Sequence, residues 1–344
     1  MLNFFVLQNN TGSRYYRLIP QLRWLKEQGH KVILETVECP TIEQYIDWAD
    51  VVILQMVFSK EIVDLIKSKG KKFIFECDDL VHNVPSTHYS YQETRGIANK
   101  VKWFFRLRHL LKNCDGFIST TKTLDWVYGR WAKKSLVFPN YCDIYHWLKE
   151  YKKNNTSQIR LLWAGSKSHN GDLAMLKPVI KRVLEKYPQV KFLYIGMGGI
   201  KTDNLYARFV YGDDFFDDLP NNRESLLPVD ASVWPYVLSG LIADIAVAPL
   251  EKNYFNTFKS QCKYLEYGIN QIPAVYSSHY TDVKDGETGL IANTPEEWFE
   301  KICLLIENEQ LRKSMGKKAK EDIIKNYFMD NYLQTWQRFV EQWT

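Results

Sequence analysis

Short apolar runs of strand-forming residues alternate with helical patterns along almost the whole chain of 344 residues. Each pair of parallel strands needs a crossover, which a helix usually supplies, so this alternation predicts parallel α/β sheets. The predicted strands of the first half are Leu2–Gln8, Lys31–Thr36, Val51–Gln55, Lys72–Glu76, Gly116–Ser119 and Leu136–Phe138. Those of the second half are Ile159–Trp163, Lys191–Ile195, Ile245–Ala248, Pro273–Tyr276 and Gly289–Ala292.

One polar stretch, KEYKKNNTSQ (149–158), interrupts this pattern and predicts a linker, because it has no apolar periodicity. The chain is also long for a single hydrophobic core. We therefore predict an α/β fold of two Rossmann-like, doubly wound parallel-sheet domains, over 1–152 and 153–325. A terminal segment, 326–344, carries aromatic residues at roughly helical spacing and needs a surface to cover.

The composition is that of an ordinary globular protein, with 45% hydrophobic and 25% charged residues. A net charge of +5 permits phosphate-bearing ligands or an anionic membrane surface and requires neither. The six cysteines are scattered without zinc or disulfide spacing, which favours a reducing cytoplasm. The first apolar run is too short for a signal segment, and no stretch approaches the ~20 apolar residues of a membrane span. We expect a cytoplasmic protein that is at most peripheral to the inner face of the membrane.

In open α/β sheets, ligands bind beyond the carboxyl ends of the strands, so the residues that follow each strand are the first candidates. The first strand is followed by NNTGSRYYR. Gly12 and Ser13 would expose backbone N–H groups near a helix start, and Arg14 and Arg17 add positive charge. This loop is a candidate acceptor-side or anion-binding segment. A plain turn and helix cap would explain it equally well.

The fourth strand ends in FECDDL, which crowds three carboxylates, Glu76, Asp78 and Asp79, at a strand terminus. Crowded carboxylates in a cleft favour raised pKa values, and they suit proton handling or the binding of sugar hydroxyls. The competing interpretation is a helix cap beside a solvated acid.

Two glycine-containing loops follow strands of the second half. In WAGSKSHNGDL, Gly165 allows close approach of a ligand, while Ser166, Lys167 and His169 could hold phosphate or sugar oxygens. FLYIGMGG repeats the plan at Gly196. Each loop is a weak signal on its own. Two such loops that face one crevice are a stronger one.

The segment FNTFKSQCKYLEYG predicts a helix over about Ser260–Tyr267 that begins after a strand-end loop. Lys259, Lys263 and Glu266 lie at spacings of four and three residues and therefore on one face. The same spacing would also suit an ion pair on a solvated helix face.

The order of WAGSKSHNGDL, FLYIG, LSGLIADIAVAPL, FNTFKSQCKYLEYG, IPAVYSS and DGETGLI resembles the retaining GT-B glycosyltransferases. The resemblance is clearest over 160–327. The DDL ending of the fourth strand, the WAGS-then-His loop and the KS…K…LEY pattern are similar to the O-antigen and surface-polysaccharide branch. The resemblance implies two domains with a cleft between them, a nucleotide-sugar donor such as a UDP- or GDP-sugar, and a glycan or lipid-linked acceptor.

The resemblance also implies roles for particular residues. Glu266 matches the glutamate that binds both ribose hydroxyls, and Asp78 and Asp79 fall where relatives carry a His–Asp pair that faces the donor sugar. The terminal helix is expected to cross back onto the first domain. The positions that would meet the diphosphate and sugar are Gly165, Ser166, Lys167, His169, Lys259, Ser260 and Lys263.

Two departures from the family pattern concern the donor. Phe258 stands where relatives carry a sugar-binding glutamate, so the contacts to the donor sugar must differ. The usual arginine–lysine pair is reduced to Lys167, with His169 nearby.

No Asp-x-Asp motif follows a predicted strand, since Asp213, Asp214, Asp217 and Asp218 fall in a predicted loop. We therefore expect a metal-independent enzyme without a cofactor. Lys259, Lys263, His169 and helix N–H groups would then stabilise the leaving diphosphate. Two alternatives stay open. The chain could transfer sugar to modified DNA bases, or it could be a nucleotide-sugar epimerase or an inactive nucleotide-sugar binder.

The segment KVKWFFRLRHLLK (100–112) predicts an amphipathic helix of the first domain. Its predicted buried face carries Trp103, Phe104, Leu107, Leu110 and Leu111. Its predicted basic face carries Lys102, Arg106, Arg108 and His109. We expect the basic face to contact an anionic acceptor carrier, which could be a membrane surface or DNA. The competing interpretation is a solvated face.

Overall fold

The computed structural model describes residues 1–9, 12–88, 90–147, 158–196 and 215–343. The first domain is built on a parallel sheet of six strands in the order β2-β1-β3-β4-β5-β6. Its strands are β1 Asn3–Gln8, β2 Lys31–Thr36, β3 Val51–Gln55, β4 Lys72–Cys77, β5 Gly116–Ser119 and β6 Lys134–Val137.

The second domain repeats the plan with six parallel strands in the order β12-β11-β10-β7-β8-β9. Its strands are β7 Ile159–Ala164, β8 Val190–Ile195, β9 Arg223–Leu226, β10 Ile245–Ala248, β11 Ala274–Ser277 and β12 Leu290–Ala292.

Helices connect the strands and cover both sheets. Those of the first half are α1 Arg14–Arg17, α2 Ile19–Glu27, α3 Ile42–Trp48, α4 Lys60–Ser68, α5 Tyr91–Thr94, α6 Ile97–Asn113, α7 Lys122–Tyr128 and α8 Ile144–Trp147. Those of the second half are α9 Asn170–Lys186, α10 Trp234–Gly240, α11 Cys262–Ile269, α12 Pro295–Glu307, α13 Glu309–Asn326 and α14 Asp330–Glu341. Short 3-10 turns lie at Gly129–Trp131, Lys167–His169 and Phe255–Phe258.

The predicted α/β fold is confirmed, and every predicted strand is present with bounds that differ by two residues or fewer. The strands were predictable because helices bury both faces of each sheet, which leaves nearly continuous apolar runs in the sequence. Strand β9, with the sequence RESL, was not predicted. It is a short, half-exposed edge strand and lacks such an apolar run.

The terminal helix α14 packs against the first domain. Its Leu333, Trp336 and Val340 are fully buried in one cluster with Phe4 and Leu18 of the first domain. Beyond the helix, the Trp343 indole packs so closely on Gly116 of β5 that a Cβ atom there would lie 2.9 Å from Nε1. Most of the predicted linker, 149–157, lies outside the described residues, so the proposed domain boundaries stay predictions.

Helix α6 differs from its predicted pattern at one large residue. Leu107, Leu110 and Leu111 are buried as predicted, but Phe104 is 40% exposed. Phe105, one residue further along, is 59% exposed. The prediction was wrong for Phe104 because it assigned every apolar side chain of the helix to the core. The buried face of this surface helix is narrower than that.

Among the described residues, no helix is both long enough and apolar enough to cross a membrane.

Candidate active-site cleft

A cleft of about 500 Å³ lies between the two domains, where the carboxyl ends of strands from both sheets face each other. The predicted site residues that line it are Gly12, Ser13, Asp78, Asp79, Ser166, His169, Lys259, Ser260 and Lys263. These residues come from separate loops of both halves of the chain. The fold therefore gathers most of the predicted site into one space.

The acidic end of β4 forms one wall of the cleft. Lys259 of the second domain donates to Asp79 at 3.0 Å and so joins the two domains at this wall. Burial, together with the charge of Asp79, raises the pKa of Asp78 to about 6, although Ser13, Arg17 and Lys259 act in the opposite direction. One buried oxygen of Asp78 has no hydrogen-bond partner among the described residues. Asp78 can therefore accept a hydrogen bond or a proton near neutral pH.

Behind this wall lies a buried ion pair. Arg17 donates through Nε to Glu76, and both side chains are fully buried. Nη1 of Arg17 also donates to the carbonyl oxygen of Phe138 at 2.6 Å and to Asn140 at 3.1 Å. Burial raises the pKa of Glu76 to about 7, and Arg17 partly offsets this shift. The guanidinium of Arg17, predicted to face an acceptor, is instead enclosed by first-domain groups and does not line the cleft.

Of the other predicted acceptor-side residues, Gly12 and Ser13 line the cleft and Arg14 does not. Gly12 lies at the cleft with open space where a Cβ atom would be. Ser13 starts α1 and accepts a hydrogen bond from Gln55 at 3.2 Å. Arg14 turns to the second domain, where Nη2 bonds both carboxylate oxygens of Asp230 at 3.0 and 3.3 Å. Arg14 therefore bridges the domains outside the lining of the cleft.

The two glycine loops of the second domain touch each other. Gly196 has a φ of +87°, and a Cβ atom there would lie 1.9 Å from the carbonyl oxygen of Gly165. Only glycine allows this approach, because other residues would clash with the backbone and would be strained at this φ. Gly165 and Gly196 thus pack the loops together, and Ser166 and His169 line the cleft beside them. The Lys167 side chain and residues 197–214 are not among the described parts.

His169 has a buried partner that the sequence analysis missed. Its Nδ1 lies 2.7 Å from Asp172, three residues later at the start of α9. A carboxylate only accepts, so Nδ1–H donates and Nε2 remains for the cleft. Asp172 is itself held, since its other oxygen accepts from Glu251 N–H at 2.6 Å and from Asn256 Nδ2 at 3.0 Å. The His-x-x-Asp spacing at a helix start was the signal in the sequence.

Glu266 is buried under the cleft and bonded on both oxygens. Lys263 donates to one oxygen at 2.8 Å, and the Tyr16 hydroxyl of the first domain donates to the other at 2.6 Å. Burial, followed by the charge of Glu266, raises the pKa of Tyr16, which keeps this hydroxyl a neutral donor. Tyr16 lines the cleft and Glu266 does not. A ligand that reaches this carboxylate must therefore share it with Tyr16 or displace Tyr16.

Positive charge concentrates on the second-domain side of the cleft. Lys259 and Lys263 flank the start of α11, and Ser260 and Cys262 lie between them. Gln261, which precedes the helix, makes no side-chain capping bond. The first N–H groups of a helix have no intrahelical partner and carry partial positive charge. This corner of the cleft is therefore suited to an anion such as a diphosphate.

The aspartates of the predicted loop around residue 217 were not expected to form a metal motif, and those that the structure describes do not line the cleft. Asp213 and Asp214 lie outside the described residues. Asp218 pairs with Lys177, and neither it nor Asp217 lines the cleft. Within the described ranges, no group of three His, Cys, Asp or Glu side chains could hold a metal ion.

No protein-family model matches the sequence, and no curated protein matches it. Solved structures do match. Sucrose-phosphate synthase from Thermosynechococcus elongatus aligns with a TM-score of 0.69 at 12% identity, over 99% of both chains. The pneumococcal O-GlcNAc transferase GtfA, solved in complex with UDP and GlcNAc, aligns at 0.55 and 13% identity. That match spans 85% of this chain and 56% of GtfA.

A putative UDP-N-acetylglucosamine 2-epimerase from Listeria monocytogenes also aligns, with a TM-score of 0.53 at 10% identity, over 96% of this chain and 94% of that one. All three identities are low, so the likeness concerns the fold. The fold is GT-B: two Rossmann-like domains with a cleft between them, as the sequence analysis predicted. The aligned structures thus include a transferase, GtfA, and a protein described as a putative epimerase of a sugar nucleotide.

Proposed function

We propose that this chain is a glycosyltransferase that moves a sugar from a nucleotide-sugar donor to a hydroxyl group of a glycan acceptor. The observation that carries the proposal is the distribution of charge across the cleft. The second domain contributes Lys259, Lys263 and the start of α11, which suit a diphosphate, while the first domain contributes Asp78 and Asp79. The bound UDP and GlcNAc of GtfA support a sugar nucleotide as the donor.

Transfer requires a stabilised leaving group and a positioned acceptor oxygen. Lys263, His169 and the N–H groups of α11 would stabilise the negative charge that grows on the departing diphosphate. Asp78 would orient the acceptor hydroxyl and accept its proton. We expect Lys263→Ala to act mainly on kcat, because this charge is larger in the transition state than in the bound donor. In this proposal the protein's own cations take the place of a metal ion.

The finer features of the proposal rest on the family resemblance. They are retention of the anomeric configuration, a UDP- or GDP-sugar as donor, and a role in surface-polysaccharide synthesis in the cytoplasm. Glu266 would bind the ribose hydroxyls, and Gly165 and Ser166 would approach the phosphates. Phe258 is buried, so the contact that relatives make through a glutamate at this position must come from another residue.

A thermal-shift screen tests the proposal, with UDP, GDP, ADP and their common sugar conjugates as ligands. A ligand at 100 times its Kd stabilises the folded state by about 2.7 kcal/mol, which is readily measured as a rise in Tm. We expect one nucleoside diphosphate and its sugar conjugates to stabilise the protein. If no nucleotide shifts the Tm at millimolar concentration, the proposal is wrong.

The second candidate function is epimerisation of a sugar nucleotide, because the putative epimerase from Listeria monocytogenes has the same fold. Incubation with the stabilising sugar nucleotide and no acceptor separates the two. An epimerase inverts a centre of the donor sugar, whereas a transferase leaves that sugar unchanged apart from slow hydrolysis. Transfer to modified DNA bases, the third candidate, has support only from the net positive charge. It predicts salt-dependent DNA binding.

We also propose that the protein contacts anionic lipid through the first domain. Ile97, Val101 and Phe105 are exposed on one face of α6. Phe104 links this face to Trp131 through an edge contact at 5.3 Å. Exposed apolar and aromatic residues suit the membrane interface.

Cations border this apolar face. Arg130 lies 5.5 Å from the Trp131 ring centroid and 5.6 Å from that of Trp126, which is 70% exposed. Arg108 is exposed on the same helix as Phe105. Each basic residue near an anionic membrane contributes about 1 kcal/mol. Phe105→Ser with Trp126→Ser should reduce co-sedimentation with phosphatidylglycerol vesicles, and unchanged sedimentation would contradict the lipid contact.

A further inference from the structure

A second groove, of about 360 Å³, opens beside the cleft on the first domain. Helices α5 and α6 form its walls, which are lined by Gln92, Glu93, Asn99, Lys102, Trp103 and Arg106. Glu93 and Trp103 also line the cleft. The two spaces are therefore adjacent and share two side chains. A chain-like ligand with one end in the cleft would extend into this groove.

The Trp103 ring at the junction is held in place. Its Nε1–H donates to the carbonyl oxygen of Glu93 at 3.2 Å, and its edge packs on Phe58 at a centroid distance of 5.3 Å. A fixed aromatic ring offers apolar area without a large entropic cost, and the apolar faces of sugar rings pack on such surfaces. Gln92 and Asn99 supply amide groups, which can both donate to and accept from sugar hydroxyls. The groove thus has the composition of a carbohydrate subsite.

The groove also carries two cations, Lys102 and Arg106, against one acid of its lining, Glu93. Lys102 and Arg106 lie one helical turn apart and are exposed. Neither forms an ion pair in the described part of the chain. Glu61 accepts a hydrogen bond from the Ser59 hydroxyl, which is the main cause of its lowered pKa. The charge of Arg106 lowers this pKa to a smaller extent. Glu93 offsets only one of the two charges, so an anionic group is favoured here.

We propose that this groove is an acceptor subsite for a sugar unit that bears a carboxylate or phosphate group. That unit would be a neighbour of the sugar whose hydroxyl lies in the cleft. The Arg106 guanidinium lies over the Trp103 ring, 5.7 Å from its centroid, so a sugar ring would pack on Trp103 beside it. Lys102 and Arg106 would bind the anion, since a guanidinium matches the geometry of both groups. The inference deepens the proposed function and depends on it. It adds a negatively charged glycan as the class of acceptor.

The test measures binding of two oligosaccharides to the full chain by calorimetry, with saturating nucleoside diphosphate identified by the thermal-shift screen. Tetragalacturonate is the charged probe, and maltotetraose is the neutral one. We expect tighter binding of tetragalacturonate, by about tenfold or more. Trp103→Ala should weaken the binding of both probes. The Lys102→Gln/Arg106→Gln variant should abolish the preference for the charged one.

Lys112→Gln is the matched control, because it removes an exposed cation of the same helix that does not line the groove. The double variant changes only exposed side chains, so it remains informative if Trp103→Ala fails to fold. Nucleoside diphosphate affinity, measured in parallel, separates a failure of this subsite from a failure of the donor site. Equal binding of the two probes by the wild type would overturn the proposal. So would a preference that survives in the double variant, or tighter binding of a single-stranded DNA 12-mer.

Discussion

Glu266 is the residue on which the proposed donor site depends most. Its carboxylate has about four lone-pair sites, so it can accept from both ribose hydroxyls even while Lys263 donates to it. Loss of a hydrogen bond to a charged group costs about 1.5–3 kcal/mol. We therefore expect Glu266→Ala to weaken binding of the free nucleoside diphosphate by about 10- to 150-fold, measured by calorimetry.

Glu300→Ala provides the control, since it removes an exposed glutamate of α12. Equal affinities for wild type and folded Glu266→Ala would mean that the glutamate only pairs with Lys263 and Tyr16.

Asp78 should control the pH dependence of turnover. A general base must be ionised, and the pKa of Asp78 is raised to about 6 by burial and by Asp79. We expect kcat/KM to rise with pH through an apparent pKa near 6 and to level off above it. Asp78→Asn should lower kcat by about 10²–10⁴-fold. Because Asp79 helps to raise this pKa, Asp79→Asn should move the acid limb to lower pH. A flat profile from pH 5 to 8 would show that another group receives the proton.

Single residues were predictable from the sequence when their chemistry was local. Asp78 and Asp79 followed from their position after a strand and Lys259 from its spacing to Lys263 and Glu266, and all three line the cleft. Tyr16 was not predicted, because its partner Glu266 is 250 residues away and in the other domain. Arg17 was assigned to the acceptor side on its charge alone. No local pattern in the sequence indicates that Arg17 will form a buried ion pair with Glu76.

At the scale of elements, the start of α9 holds the most specific new arrangement. Asp172 fixes the orientation of His169 and is anchored by Glu251 and Asn256 of a neighbouring loop. Asp172→Asn would present an N–H group to Nδ1 and so change which imidazole nitrogen carries the proton. We expect kcat to fall by about 10- to 100-fold, the scale of a misplaced catalytic group, with a smaller change in KM.

Asp217→Asn is the comparison variant, because Asp217 is exposed and away from the cleft. A stability effect alone would lower Tm and active fraction without changing kcat per folded molecule. An unchanged kcat would therefore exclude a positioning role for Asp172.

Elements were predicted well where burial on both faces leaves apolar runs and poorly where an element lies at an edge. The strand bounds of β2, β3, β5 and β10 matched those predicted. The edge strand β9 was missed, and α6 was assigned a buried face that was too wide. Periodicity reports which residues are apolar. It does not report whether a neighbouring element is present to cover them, as Phe104 and Phe105 show.

At the scale of the whole molecule, the two domains are joined across the cleft by side-chain contacts that a donor would disturb. The Tyr16 hydroxyl bonds the carboxylate that we assign to the ribose. If the ribose takes the place of this hydroxyl, Tyr16→Phe removes a competitor. We expect nucleoside diphosphate affinity to increase by about tenfold, as measured by calorimetry.

Tyr15→Phe is the neighbouring control, because its buried hydroxyl has no hydrogen-bond partner in the described ranges. Weaker binding in Tyr16→Phe would instead place this hydroxyl within the nucleotide site.

Helix α14 completes the hydrophobic core of the first domain only after the second domain has been translated. Leu333, Trp336 and Val340 cover Phe4, Val6 and Leu18 but are translated about 300 residues later in the chain. Domains generally fold during synthesis, which proceeds at about 5–20 residues per second. The apolar face of the first domain therefore stays uncovered for on the order of tens of seconds, while the second domain is translated. During this interval the uncovered apolar face is the part of the nascent chain most exposed to aggregation, and we expect it to be the part that a chaperone would bind.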